Sequence, residues 1–133
     1  MSEKTRVYFL AVTDIPDPNV VSSVIGRPPD SFRPVGEPIG PHPGAPPRKR
    51  SIWTIESGLP PSSPFEDQLE ALLSELERLP GITAAIQQFE SGLSCHARWQ
   101  SANPGFHISE SHARRIAALN LSLDLDIYVT EST

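Results

Sequence analysis

Cysteine is almost missing from this chain: Cys95 is the only one among 133 residues. That excludes an internal disulfide and leaves too few thiolates for a structural zinc site, so a reducing, cytoplasmic setting is expected. Aromatic residues are scarce at 7 %, and hydrophobic residues reach only 38 %. No apolar run could span a bilayer. The longest near the start, "VYFLAV" at 7–12, is far too short and lacks the cleavage region of a signal peptide, so no membrane association is expected. Bases are in the minority, eleven against sixteen acids for a net charge of −5, which argues against a nucleic-acid footprint. Glycine forms no phosphate cradle: GxGxxG, GxxxxGK and GxSxG are all absent. Nucleotide-driven chemistry is thereby disfavoured, and no cofactor is expected.

Proline, by contrast, is abundant. Eight of the fifteen prolines and three of the eight glycines fall between Pro28 and Pro47, so residues 27–50 are expected to form a long proline-rich loop within a single domain spanning 1–133. A short strand near Val35 to Glu37 fits inside it. The basic run "RKR" at 48–50 closes the loop and reads as a solvated loop end rather than a phosphate grip.

Outside that loop the hydrophobic pattern is periodic. Arg6 to Thr13 alternates with apolar residues on both sides, Val7, Phe9 and Ala11 against Tyr8, Leu10 and Val12, which predicts a central strand covered on both faces. "DPNVVSSVIG" then sets Asp17 as a helix cap, Pro18 at the first helical position and Gly26 just past the end. "SIWTIES" returns to alternation. Ser63 to Leu79 is the clearest helix: Ser63 and Glu66 offer a capping box, and Phe65, Leu69, Leu72, Leu73, Leu76 and Leu79 share one face. Pro80 and Gly81 end it, and Ile82 to Phe89 suggests a shorter helix.

"GLSCHARWQS" is a strand with Leu93, Cys95, Ala97 and Trp99 on one side and Ser94, His96, Arg98 and Gln100 on the other. A turn at Asn103 to Gly105 follows. Ile108 and Ser109 then open a last helix whose buried stripe is Ile116, Ala117 and Leu119. The final strand, "SLDLDIYVTE", alternates Leu123, Leu125, Ile127 and Val129 with Asp124, Asp126, Tyr128 and Thr130. This order predicts an α+β fold, a mostly antiparallel sheet of about five strands with helices packed on it, as a ferredoxin-like type of sandwich.

Chemistry has few places to reside. His96 and Arg98 on one strand and Asp124, Asp126 and Tyr128 on another could meet if those strands pair, and they form the candidate ligand-binding or acid–base set. Alternation alone, however, makes polar residues coincide on any wet sheet face, so cross-strand charge pairs are the simpler reading. Cys95 and His96 are strand neighbours on opposite faces, which denies the cysteine a local base, and Cys95 is expected as a small buried residue. Trp53 and Trp99 are expected in the core. His107 and His112 lack the i, i+4 spacing of a helical metal pair, and no metal site is expected. Glu66, Asp67, Glu70 and Glu75 line the long helix and are the candidate contacts for a basic protein partner.

In their order, "GRPPDSFRPVGEP", "RKRSIWTIESGL", the long capped helix and "ISESHARRIAALNLSLDLDIYV" resemble the bacterial domain-of-unknown-function 4279 family. The shared features are a short helix ending at Gly26 ahead of prolines, the Gly36-Glu37 step, Trp53 opening W-x-I-x-S, and a last helix running into "LDLDIY". The resemblance covers nearly the whole chain; the stretch from Ile39 to Pro47 departs from it as an insertion. It implies a fold and a bacterial origin, and no activity. Small acidic proteins of similar kind suggest immunity partners of toxins, by analogy only. The leading expectation is therefore a non-catalytic protein-binding module, such as an immunity protein holding a basic toxin. The alternatives are a small-ligand binder or enzyme using the polar face around His96 and Asp126, and a structural or homo-oligomerising domain.

Overall fold

Alternating and helical periods resolve into nine elements in a computed structural model that describes residues 4–99 and 106–129. They are β1 (Lys4–Thr13), α1 (Asn19–Ile25), β2 (Ser31–Arg33), β3 (Ser51–Glu56), α2 (Phe65–Arg78), α3 (Ile82–Gln88), β4 (Glu90–Trp99), α4 (Glu110–Ala118) and β5 (Leu123–Val129). The Asn103 to Gly105 turn, Gln100 and Thr130 lie outside the described residues.

The strands form one sheet in the order β2-β3-β1-β4-β5. All neighbours are antiparallel except β4 and β5, which run parallel. The first four strands with their helices follow the β-α-β-β-α-β connectivity of ferredoxin-like sandwiches. The segment α4-β5 then adds a fifth strand through a helical crossover, the connection a parallel neighbour requires. The α+β class and mostly antiparallel sheet match the sequence expectation.

One core fills the space between the sheet and the helices. Val7, Phe9 and Ala11 of β1, Trp53 and Ile55 of β3, and Leu93, Cys95 and Ala97 of β4 are fully buried there. Leu69, Leu72, Leu73 and Leu76 of α2 and Val21 and Ile25 of α1 pack onto them. Burying the four α2 leucines alone contributes roughly 6–12 kcal/mol of gross stabilisation. Trp53 sits edge-on to Phe9, with ring centroids 6.3 Å apart, and its indole N–H donates to Ser22 Oγ at 3.0 Å. That bond satisfies the polar tip of a buried indole and fixes α1 on the sheet. The expectation that both tryptophans belong to the core holds, Trp99 being 5 % exposed.

Several local expectations are corrected. β1 is central, but only its Val7 side is sealed; Tyr8, Leu10 and Val12 stay half-buried because none of the described helices lies on their face of the sheet. The short strand forms at Ser31–Arg33, not Val35 to Glu37, because Phe32 can pack on the core opposite Trp53. In the proline-rich loop Gly36 N–H donates to the Arg48 carbonyl at 2.8 Å, Arg48 N–H to Glu37 at 2.7 Å, and Ile39 N–H to Pro46 at 2.8 Å, which folds the loop back on itself. The capping box fails, since no side chain caps α2; Ser63 instead offers its carbonyl to Gln68. α1 begins one residue later than expected, at Asn19 with Pro18 as its N-cap, although Asp17 Oδ1 accepts the Asn19 N–H at 2.9 Å; Gly26 takes the left-handed cap at φ 97° as expected. On α4 the buried residues are His112 and Ile116, four apart on one face, while Ala117 is exposed. Among the described residues no helix is long and apolar enough to cross a membrane.

Candidate functional site on the open sheet face

With the helices gathered on one side, the even-numbered side chains of β1, β4 and β5 share the other. Parallel pairing of β4 and β5 sets Ser94 beside Asp124, His96 beside Asp126 and Arg98 beside Tyr128. The sequence could propose these residues as a set; the register brings four of the five together. His96 Nδ1 lies 3.5 Å from Asp126 Oδ2, and the Tyr128 hydroxyl donates to the same oxygen at 3.3 Å. The His96 and Tyr128 ring centroids are 5.4 Å apart, and the Arg98 guanidinium stands 5.9 Å over the Tyr128 ring. Asp124 sits opposite Ser94 and joins no ion pair among the described residues. All of this is solvent-facing, so the pairs orient side chains more than they stabilise the fold.

The structure adds residues that sequence reasoning missed. Antiparallel pairing of β1 with β4 sets Lys4 beside Arg98 and Arg6 beside His96. Arg6 makes a two-pronged bond to Glu56, Nε to Oε1 at 2.7 Å and the second nitrogen to Oε2 at 2.6 Å, and its guanidinium covers the Tyr8 ring at 4.1 Å. Alternation in "KTRVYF" could have placed Lys4, Arg6 and Tyr8 on one face. Nothing in the sequence said that this face continues onto His96 and Arg98.

A cavity of about 240 Å³ opens here, lined by Lys4, Thr5, Arg6, Pro61, His96 and Arg98. Its origin is a gap in the sheet. Strand β3 pairs with β1 only as far as Tyr8 opposite Glu56, and beyond that point the chain at 57–61 replaces it. Ser57 N–H reaches the Val7 carbonyl at 3.1 Å, and Thr5 N–H reaches the Pro61 carbonyl at 2.9 Å. The remaining backbone groups are met by one buried side chain. Gln68 donates to the Thr5 carbonyl at 2.7 Å and the Ser63 carbonyl at 3.1 Å, and it accepts from Val7 N–H at 3.2 Å and the Ser57 hydroxyl at 3.1 Å. All four hydrogen-bonding positions of the amide are used. Gln68 thus serves as the missing strand partner behind the cavity.

The acidic helix is largely spoken for. Arg115 of α4 grips Glu77 with two bonds at 2.8 and 2.9 Å and Glu70 with one at 2.7 Å. Hydrogen bonds from Arg115, then Ser74, then His112 hold the Glu70 carboxyl down at about 2. Glu75 binds Arg78 and, at 3.1 Å, Arg27, and its pKa is lowered chiefly by Arg78. Glu66 and Asp67 are exposed and enter no ion pair among the described residues. Of the four acids proposed for a partner, two are therefore engaged within the chain.

Cys95 is fully buried, and desolvation pushes its thiol up to about 11, as suits a packing residue rather than a nucleophile. His42 and His107 are exposed, and His112 is packed between α4 and α2 with Nε2 3.0 Å from Glu70. No cluster of three metal-ligating side chains occurs among the described residues. In the basic run, Arg50 is tied to Asp14 and Glu90 at 3.1 and 3.2 Å.

Comparison with known proteins gives one match. No curated protein matches the chain, and no solved structure does. The family described as "Domain of unknown function (DUF4279)" matches residues 3–130. With every element from β1 through β5 inside that match, the chain belongs to the DUF4279 family.

Proposed function

We propose that the protein is a non-catalytic binding module whose working surface is the open sheet face, where it holds a small ligand with an anionic group on an apolar body. The observation that carries this reading is the cavity lined by Lys4, Arg6, His96 and Arg98. Lys4, Arg6 and Arg98 line it through their stems, which leaves three cations at its rim in a chain whose net charge is −5, and only Arg6 among them is neutralised by a neighbouring carboxylate in the described residues. The walls between the charges are the aliphatic stems of those side chains and Pro61. At about 240 Å³ and with almost wholly apolar walls, the space is smaller than sites for drug-sized molecules and suits the short apolar body of a carboxylate or phosphate monoester whose anionic group stays at the cationic rim. The single cysteine supports a cytoplasmic setting for such a module.

The test is a thermal-shift panel of short carboxylates and phosphate monoesters at low salt. One class should raise the melting temperature, and Arg98→Ala or His96→Ala should remove the rise while Lys49→Ala, on the proline-rich loop, keeps it. A panel without any shift, or a shift indifferent to Arg98→Ala, refutes the reading.

A second reading rests on Glu66 and Asp67, the exposed acids of α2 that no cation engages among the described residues. A bacterial immunity protein could use them to hold a basic toxin. Binding that weakens with salt and with charge reversal at these two positions would favour it over the sheet-face reading.

A further inference from the structure

We propose that β5 is a self-association strand, pairing antiparallel with β5 of a second copy about a two-fold axis at Ile127, so that two five-stranded sheets become one. This does not rest on the ligand reading. It begins from an uncovered edge. β5 is the last strand of the sheet, and it carries neither lysine nor proline, the usual guards of an edge. Its odd-numbered residues continue the core side of β4, yet no helix among the described residues covers them: Leu125, Ile127 and Val129 are 46, 37 and 58 % exposed.

The backbone direction agrees. Leu93 N–H bonds the Ser122 carbonyl at 2.9 Å, so the even-numbered residues of β5 turn their N–H and C=O groups toward β4. Those of Leu125, Ile127 and Val129 then face outward, free to pair.

Charge selects both the occupant and the register. With Ile127 on the axis, Leu125 lies opposite Val129 of the second copy, and Asp126 lies opposite its Tyr128. Across the seam the polar row then reads Arg98, Tyr128, Asp126 of the second copy, His96 of the second copy. Arg98 pairs with no carboxylate among the described residues; its own Asp126 lies on the diagonal of the neighbouring strand, and this arrangement adds a second carboxylate on the other side of Tyr128, two strand spacings away at roughly 10 Å between backbones. Centring the axis on Asp126 would instead set two aspartates face to face, and centring it on Leu125 would oppose Asp124 to Asp126 twice. Like charges directly opposite are destabilising, so the Ile127 register is preferred. One strand per copy makes a small interface, roughly 1,000–1,200 Å² in total, and hence a weak, concentration-dependent dimer.

Sedimentation velocity across a series from low micromolar to several hundred micromolar tests this. The average mass should climb from that of the monomer toward twice that value, and Ile127→Lys should weaken association on the order of tenfold. Val129→Lys is the second variant, should Ile127→Lys perturb folding. Cysteine variants read the register. Ile127→Cys should form a disulfide-linked dimer on mild oxidation, since opposed residues in a bonded pair lie about 5.5 Å apart, and Asp126→Cys should not. A monomer at every concentration overturns the proposal. So does a dimer indifferent to both lysine variants, and cross-linking through position 126 alone overturns the register.

Discussion

Replacing Gln68 by leucine removes the amide that closes the gap beside β1 while keeping the side-chain volume nearly constant. Cavity formation is therefore minor, and the loss of polar partners dominates. Two of the orphaned groups, the Val7 N–H and the Thr5 carbonyl, are buried in hydrogen bonds to Gln68, while the Ser57 and Ser63 groups are partly exposed and can turn to water. Each buried orphan costs about 1–3 kcal/mol, and the leucine recovers about 1 kcal/mol by its own burial. The net loss is about 1–5 kcal/mol, centred on about 3 kcal/mol, a large share of the ~5–15 kcal/mol that holds a domain together. In a domain of this size it should lower the melting temperature by about 10 °C, read by circular dichroism, with a matching fall in the urea midpoint. Gln68→Glu gives the sharper check. A carboxylate can accept from Val7 and Ser57 but can donate to the Thr5 and Ser63 carbonyls only when protonated, so folding raises its pKa above the ordinary value. A raised acid costs nothing below its unfolded pKa and destabilises progressively as pH rises above it. The deficit of Gln68→Glu should thus shrink as pH falls toward about 4. A Gln68→Leu protein melting within about 2 °C of the parent, or a Gln68→Glu deficit that ignores pH, would refute the reasoning.

Two other changes follow from close geometry. Gly81→Ala places a methyl group 1.8 Å from the Val24 carbonyl oxygen. The α1 and α3 backbones must separate, and destabilisation of about 3 kcal/mol or more is expected by urea titration. Gly36→Ala meets no atom within 4 Å and pays only for its φ of 90°, about 1 kcal/mol; equal losses at the two positions would contradict the steric argument. Glu70 is held near 2, below its ordinary 4.5, so its contribution is present above about 4.5 and fades as pH drops from there toward 2. Glu70→Gln should flatten the acid limb of the melting-temperature profile in that window, modestly because the side chain is half-exposed, and most visibly at low salt. Superimposable acid limbs would remove Arg115 and His112 as its partners in solution.

Periodicity reported the elements well because period and burial share one cause. The leucines of α2, Val7, Phe9 and Ala11 of β1, and Leu93, Cys95, Ala97 and Trp99 of β4 are apolar for the same reason that they face a common core. The misreadings fall where a tertiary contact outweighed a local signal. Ser63 and Glu66 have capping-box spacing, yet the Ser63 carbonyl is drawn to Gln68, a residue that looks polar and surface-bound in sequence. Val35 to Glu37 looks extended, but Phe32 has the core contact and takes the strand with it. The candidate site was half legible. Alternation put His96 with Arg98, and Asp126 with Tyr128. Strand order alone could reveal that Lys4 and Arg6 complete the cationic side, and a single sequence does not carry strand order.

The crossover that gives the fold its fifth strand also makes its two surfaces interdependent. α4 packs against α2 through Arg115, Glu70 and Glu77, not over β5, which among the described residues leaves the inner side of β5 bare and its outer edge unpaired. Arg98 stands where both proposed surfaces meet: it lines the cavity toward β1 and leans over Tyr128 toward the β5 edge. An anion that draws the guanidinium into the cavity withdraws it from Asp126 of a second copy, and pairing at the edge withdraws it from the anion. Linkage makes that antagonism reciprocal, so a ligand of the sheet face should weaken self-association by the same factor by which self-association weakens the ligand. Arg98→Ala should uncouple the two, leaving a weaker dimer whose sedimentation no longer responds to the anion. A parent dimer that also ignores a bound anion would show that the cavity and the edge use Arg98 independently.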